Sequence, residues 1–140
     1  MYETVTFLQN DCCVAEGIYI CGTRGWLTPD NDDFGEDDER IYKREMLRLR
    51  ASLDKAVKMA ADAGEEPDIL GVLHYPPVSK QTAFSGFQQI FDDYGVKRVI
   101  YGHVHGEDGF RTAIEGVHHG VEYSLVSLDR LNCVPLCIKP

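Results

Sequence analysis

Two histidines separated by one residue stand between glycines in the last third of the sequence. His103 and His105 belong to the stretch Tyr-Gly-His-Val-His-Gly at residues 101–106, which follows a short apolar run. An apolar run of this kind is typical of a buried strand, and ligand sites in open α/β sheets lie at the carboxyl ends of strands. Imidazole nitrogens bind several divalent transition metals, so the pattern indicates a metal site.

A third histidine, His74, also follows an apolar run, residues 69–73, and the prolines after it prevent the strand from continuing. Between the two runs, residues 83–94 predict a helix. Its expected apolar face is Phe84, Phe87, Phe91 and Tyr94, and Gly95 follows. Strand, helix and strand in succession predict a βαβ unit with parallel strands. Since parallel strands end at the same edge of a sheet, we expect His74 and His103 to lie together, with His105 nearby.

The other two histidines are adjacent, at His118 and His119, and precede Gly120 in a stretch typical of a turn. Neighbouring residues in a strand point to opposite faces, so the two cannot easily bind one ion together. We expect them at the surface, with at most one of them supporting a ligand. The alternative for any single histidine after a strand is a structural residue held by hydrogen bonds.

The surrounding elements must position these residues. Residues 39–63 repeat apolar side chains every three or four positions and predict a long helix that Gly64 ends. Strands at 5–8, 12–15 and 17–21 suit an antiparallel meander, and later strands are predicted at 97–101, 122–127 and, as a proline-containing edge strand, 134–138. The sequence therefore predicts an α/β fold: a mixed sheet with one βαβ unit and flanking antiparallel strands, in a single domain over residues 1–140.

Composition narrows the possible partners. The chain has 140 residues and a net charge of −9 without a basic cluster, so we expect no nucleic-acid partner. No apolar stretch is long enough to span a membrane, and the start does not resemble a signal peptide. Five cysteines, an odd number, suggest reduced thiols in a cytoplasmic protein, mostly buried in the core. An anionic substrate would need local positive charge, which bound metal ions supply.

Several motifs together resemble a known family. They are the Cys-Gly-Thr-Arg-Gly-Trp stretch at 21–26, Arg-Glu-Met-Leu-Arg-Leu at 44–49, His-Tyr-Pro-Pro at 74–77, the two-histidine stretch at 101–106 and Val-Ser-Leu-Asp at 126–129. The set resembles the C-terminal half of a calcineurin-like metallophosphoesterase from a bacterial branch. The resemblance implies an α/β/β/α sandwich and a hydrolase that acts on phosphoesters. It also implies two divalent ions (manganese, iron or zinc), one bound by His74 and His103 and the other by His105.

The same resemblance implies motifs that should come earlier, namely Asp-x-His, Gly-Asp and Gly-Asn-His, and the sequence contains none of them. Without a carboxylate between them, two dications about 4 Å apart repel each other unopposed, so we expect at most one ion to be well held. The chain alone is therefore predicted to be an incomplete or inactive phosphoesterase whose upstream half is absent.

Two alternatives remain open. The first is a non-catalytic, metal-binding or oligomerising remnant whose uncovered strands pair with a second copy or with a complementing upstream half. The second is an unrelated His-x-His metallohydrolase of the amidohydrolase type. That class expects the motif early and a barrel longer than this chain allows.

Arg24 is the candidate for direct contact with the phosphate of a substrate. It lies between Gly22 and Gly25, and glycines allow a ligand to approach the backbone closely. The alternative is a structural ion pair. Trp26 is expected in the core rather than beneath a substrate, and the residues alone give Asp129 no role.

Overall fold

The structure is a computed structural model that describes residues 5, 7–82 and 84–138. In this part of the chain a mixed sheet of six strands is accompanied by three helices. The strands are β1 (Cys12–Ala15), β2 (Ile18–Thr23), β3 (Asp68–Leu73), β4 (Arg98–Tyr101), β5 (Gly116–His118) and β6 (Val121–Leu125). The helices are α1 (Glu36–Ala63), α2 (Gly86–Asp93) and α3 (Gly106–Thr112). The predicted α/β class is thus confirmed.

The strands lie in the order β1-β2-β3-β4-β6-β5. The pairs β2–β3, β3–β4 and β4–β6 are parallel, while β1 and β5 are antiparallel strands at the two edges. The predicted βαβ unit, β3–α2–β4, is therefore confirmed. The predicted antiparallel meander is confirmed for β1 and β2 and is wrong for its first strand, because the described residues among 5–8 form none. The chain leaves β2 through α1 and returns as β3, and a helical crossover of this kind makes the two strands parallel.

Helix α1 begins at Glu36, three positions before the predicted start, and its first turn is acidic from Glu36 to Glu39. Negative charge there complements the positive end of the helix dipole. The Asp38 carboxylate also accepts the N–H of Gly35 at 3.0 Å, which satisfies a backbone donor ahead of the first turn. Gly64, at φ 72°, ends the helix in the left-handed region as predicted.

The start of helix α2 differs from the prediction. The helix begins at Gly86, after Ser85 accepts the N–H of Gln88 at 3.2 Å as an N-cap. Phe84 precedes that cap and is 48% exposed, so its assignment to the buried face was wrong, and Ala83 lies outside the described residues. Phe87 and Phe91 are buried as predicted.

Gly86 explains how closely α2 approaches α1. A Cβ atom at this position would lie 2.3 Å from the sulfur of Met46 and 2.7 Å from the hydroxyl oxygen of Tyr42. The Gly86 N–H donates to that hydroxyl at 2.7 Å. The missing side chain lets α2 begin directly on the surface of α1.

The two faces of the sheet are covered unequally. Alternate strand residues, among them Tyr19, Leu73, Tyr101 and Tyr123, are buried on the face that carries α1 and α2. On the opposite face Ile20, Val72, Ile100 and Ser124 stay partly exposed. We call this second face the open face.

Two predictions for the ends of the chain need correction. Val5, Phe7 and Leu8 form no strand, Phe7 is 85% exposed, and Thr6 lies outside the described residues. Residues 134–138 form no edge strand, and the carbonyl of Ile138 instead accepts a hydrogen bond from the Arg98 guanidinium at 3.0 Å. Residues 106–112, for which no element was predicted, form helix α3.

The cysteines divide between the core and the surface. Cys12 and Cys21 are buried and face each other across β1 and β2. Burial raises the pKa of both thiols, which suits the predicted small apolar residues. Cys133 and Cys137 are exposed, so their expected place in the core was wrong. They lie in the tail after β6, where no helix of the described chain covers them.

No helix in the described ranges combines the length and the apolar composition that crossing a membrane requires.

Candidate functional site

The carboxyl ends of the parallel strands form one edge of the sheet. Arg24 follows β2, His74 follows β3, His103 comes two residues after β4, and Asp129 lies four residues after β6. His103 Nδ1 and His74 Nε2 are 3.1 Å apart. The structure therefore brings these two histidines together, as the βαβ unit predicted.

Backbone hydrogen bonds fix the relative positions of the strand ends. The N–H of His74 donates to the carbonyl of Arg24 at 3.0 Å, and the N–H of Gly102 donates to the carbonyl of His74 at 3.1 Å. His103 itself has φ 67°, in the left-handed region. A side chain there costs about 1–2 kcal/mol, and such strain concentrates at functional sites.

Aromatic rings connect the histidine pair to Arg24. The rings of Tyr75 and His103 lie 4.1 Å apart with 33° between their planes, and Trp26 lies 5.0 Å from Tyr75. The guanidinium carbon of Arg24 is 4.5 Å from the centre of the Trp26 ring. We call the rings of His103, Tyr75 and Trp26, together with the Arg24 guanidinium, the aromatic row. Trp26, expected in the core, is only partly buried and lies within this row.

The nitrogens of His74 and His103 are separated by a distance that suits one metal ion. Two ligands about 2.1 Å from an ion are about 3.0 Å apart at a right angle and about 3.4 Å apart at the tetrahedral angle. The observed 3.1 Å lies between these values. Without an ion the same contact is a hydrogen bond from a protonated ring nitrogen to an unprotonated one.

The electrostatics of the pair favour neutral imidazole. Partial burial, followed by the proximity of His74 and His105, lowers the pKa of His103 below its usual value. Neutral imidazole is the form that binds metals, so His103 keeps its ligand form to a lower pH than an exposed histidine does.

His105 makes its side-chain contact with Asp129 and not with the histidine pair. Its Nδ1 lies 2.8 Å from one oxygen of Asp129, and the other oxygen accepts the N–H of Gly106 at 3.0 Å. The Gly106 N–H and then His105 lower the pKa of Asp129. This contact leaves the Nε2 of His105 available, an arrangement in which a carboxylate orients a metal-binding histidine.

Sequence reasoning gave no role to Asp129, although one signal was present. Asp129 follows a parallel strand, as His74 does, so its side chain belongs to the same edge. In the described ranges, no group of three or more His, Cys, Asp or Glu side chains is arranged to hold a metal ion. The site therefore consists of two separate pairs, His74 with His103 and His105 with Asp129.

Arg24 contacts a buried carboxylate. Its guanidinium nitrogen is 3.7 Å from Glu45, whose side chain has no exposed surface. Glu45 also accepts the hydroxyl of Thr23 at 2.5 Å. The structural ion pair considered for Arg24 is thus observed, and contact with phosphate stays a prediction. Glu45 was missed, although it lies among the apolar positions of α1, between Tyr42 and Leu49.

His118 and His119 lie away from this edge. His118 is the last residue of β5 and His119 follows it, so both lie at the opposite end of the parallel strands. Their rings are only 4.5 Å apart because His119, at φ 47°, is in a turn, so the expected opposite orientation was wrong.

Comparisons with protein-family models, curated proteins and solved structures find no match to this chain. The calcineurin-like resemblance therefore stays a hypothesis, and the functional interpretation depends on the geometry of the site.

Proposed function

We propose that this chain carries part of the metal centre of a phosphoester hydrolase of the calcineurin-like type. The observation that supports the proposal best is the 3.1 Å separation of the His74 and His103 nitrogens at the carboxyl edge of a parallel sheet. The two histidines would hold one divalent ion. His105, oriented by Asp129, would contribute to a second.

Each residue has a defined task in this proposal. A bound ion supplies charge that neutralises phosphoryl oxygens and makes water a stronger nucleophile. His74 and His103 provide neutral nitrogens for it, and manganese, iron and zinc all accept such ligands. Arg24 would contact an oxygen of a phosphate group of the substrate, because its side chain is 47% exposed and held by Glu45 on one side.

We also propose that the metal centre of this chain alone is incomplete. Two close dications need an anionic ligand between them, and in the described part of the chain no carboxylate joins the histidine pair to His105 in one cluster. We therefore expect this chain alone to hold one ion well and to hydrolyse phosphoesters poorly. A second chain or an upstream segment that contributes carboxylates would complete the centre.

Metal titration and an activity assay test the two parts separately. Calorimetry with Mn²⁺ should show about one ion per chain, and this binding should be lost in His74→Ala and retained in His119→Ala as the matched control. An aryl phosphate should be turned over slowly at best. Absence of Mn²⁺ and Zn²⁺ binding would contradict the metal centre. Fast turnover that disappears in His103→Ala would contradict the incompleteness.

The open face supports a second candidate function. Ile20, Val72 and Ile100 are partly exposed there, and apolar sheet faces left uncovered are typical of interaction surfaces. The chain would then be a non-catalytic subunit that binds a second copy or a complementing half. Light scattering distinguishes the candidates, because a stable monomer without metal would count against this one.

A further inference from the structure

Three arginines surround one buried carboxylate beside the candidate metal site. An oxygen of Glu45 lies 2.7 Å from Arg48 and 3.7 Å from each of Arg24 and Arg44. In the ranges that the structure describes, no other carboxylate lies within ion-pair distance of these three guanidinium groups. One negative charge against three positive charges leaves an excess of two, in a chain whose net charge is −9.

The pairing that the buried Glu45 carboxylate requires does not account for this excess of positive charge. A buried carboxylate must be paired and hydrogen-bonded, but Arg48 at 2.7 Å and the hydroxyl of Thr23 at 2.5 Å already meet that need. Two further guanidinium groups gain little from the same carboxylate. They repel each other unless another anion lies between them.

The guanidinium groups are accessible and held in place. The side chains of Arg24, Arg44 and Arg48 are 47%, 51% and 34% exposed, while Glu45 fixes them from the protein side. Arg24 also packs on Trp26. Arginine side chains fixed in this way lose less conformational entropy when they bind a ligand, and their planar donors match phosphate oxygens.

A cavity of about 450 Å³ opens beside these groups, where α1 meets the end of β2. Its polar side is lined by Arg24, Arg48 and Thr23. The apolar part of its wall is formed by Ile20 and Val72. Asp11 also lines the cavity, but its carboxylate contacts Lys55 and accepts the N–H of Cys12. Its charge is therefore compensated, and the cavity stays positive at the arginine end.

The cavity and the histidine pair lie at the same edge of the sheet. The carbonyl of Arg24 accepts the N–H groups of His74 and Tyr75, so the backbone that carries the arginine directly contacts the backbone of the histidine strand. The aromatic row runs between the two places. The arginine cluster and the histidine pair are thus carried by neighbouring strand ends at one edge of the sheet.

We propose that Arg24, Arg44 and Arg48 form an anion subsite that binds a second phosphate group of the substrate. The substrate class is then a phosphoester with a further phosphoryl group beside the one that reacts. This inference rests on the proposed function, because it takes the histidine pair as the place where the reacting phosphate binds.

Phosphate binding by the metal-free chain tests the subsite without using the metal centre. Metal is removed with a chelating resin, since a dissolved chelator is itself a polyanion, and inorganic phosphate is titrated while NMR follows the arginine Nε–H signals. Arg24→Ala and Arg48→Ala should each weaken binding about 10- to 100-fold, the range for a lost charged hydrogen bond. Arg50→Ala is the matched control, because Arg50 lies on the same helix and pairs with Asp93.

The phosphate titration of the metal-free chain can either support or overturn the subsite. Equal binding by Arg24→Ala and the native chain, or no binding by the native chain, would overturn the subsite. If Arg48→Ala fails to fold because Glu45 loses its closest partner, Arg24→Ala alone decides, since its 3.7 Å contact contributes less to the fold.

A second measurement distinguishes a phosphate of the substrate from free phosphate. With the Mn²⁺-loaded chain, a linear alkane bisphosphate should bind at least 10-fold more tightly than the corresponding monophosphate, and Arg24→Ala should remove this gain. Equal affinity for the two compounds would overturn the substrate class. Absence of Mn²⁺ binding would refute the proposed function, while the metal-free titration would still decide the subsite.

Discussion

Replacing His103 by glycine should separate its role in metal binding from its contribution to stability. The residue has φ 67°, so glycine relieves about 1–2 kcal/mol of strain. Glycine adds about 0.5–1 kcal/mol of backbone entropy cost. Loss of the ring contact with Tyr75 costs about 0.5–1.5 kcal/mol. Loss of the hydrogen bond with His74 costs about 0.5–1.5 kcal/mol more. The contributions together leave a net loss of about 1 kcal/mol, which corresponds to about 3 °C in Tm for a chain of this size.

The effect of metal should be larger than this change. An ion at 100 times its Kd stabilises the folded state by about 2.7 kcal/mol. The entropy of unfolding for this chain is about 0.29 kcal/mol/K, so the native Tm should rise by about 9 °C. His103→Gly leaves one nitrogen of the pair and should lose most of that rise. Thermal unfolding followed by circular dichroism, with and without Mn²⁺ or Zn²⁺, measures both quantities.

The matched control is His119→Gly. His119 also has positive φ, at 47°, but lies at the opposite end of the strands. This variant should keep the full metal-dependent rise in Tm. The reasoning is refuted if His103→Gly keeps that rise, or if the native chain shows none. If His103→Gly without metal loses more than about 3 kcal/mol of unfolding free energy, the near-cancellation of relieved strain against lost contacts is refuted.

Three further predictions concern the surroundings of the site. Asp129→Asn should weaken metal binding by His105 about 10- to 100-fold, measured by competition with a chromophoric chelator, because the orienting charge is lost. Gly22→Ala should destabilise the fold by about 3 kcal/mol or more in urea unfolding, because its Cβ would lie 1.8 Å from the carbonyl oxygen of Val72. The Gly35 and Trp26 N–H groups hold the pKa of Asp38 below its usual value, so its stabilisation is present above about pH 4 and lost as the pH falls through the folded pKa. Asp38→Asn should remove this part of the acid sensitivity in urea midpoints measured against pH.

Each of these predictions has a result that would contradict it. Unchanged metal affinity in Asp129→Asn would mean that His105 needs no orienting carboxylate. Gly35→Ala is the control for Gly22→Ala, because its nearest neighbour would be 3.7 Å away, and equal midpoints for both variants would rule out the clash. A native pH profile in Asp38→Asn would show that other carboxylates cause the acid sensitivity.

Local periodicity made much of the fold predictable. The three- and four-residue spacing from Tyr42 to Ala60 specifies α1, and Leu49 and Leu53 on that face are fully buried. Apolar runs on both sides of α2 specify two parallel strands, because a helical crossover has one favoured topology. The common edge of His74 and His103 follows from these local signals together.

Other features depended on contacts between distant parts of the chain. The parallel pairing of β2 with β3 depends on α1 crossing over between them, and the strand pattern of β2 by itself does not specify it. Phe84 has the spacing of the buried face but lies before the Ser85 cap. The apolar residues at 134–138 suit an edge strand, yet in the described chain they pair with no strand of the sheet.

The sequence by itself determined the helices, the parallel strands and the edge at which two histidines meet, since these follow from periodicity and chain direction. Tertiary structure decided what each side chain contacts there. His105 contacts Asp129, which is 24 residues away, and Glu45 of α1 contacts Arg24, which follows β2. Such pairs form only when folding brings distant residues together. No spacing rule within one element specifies them.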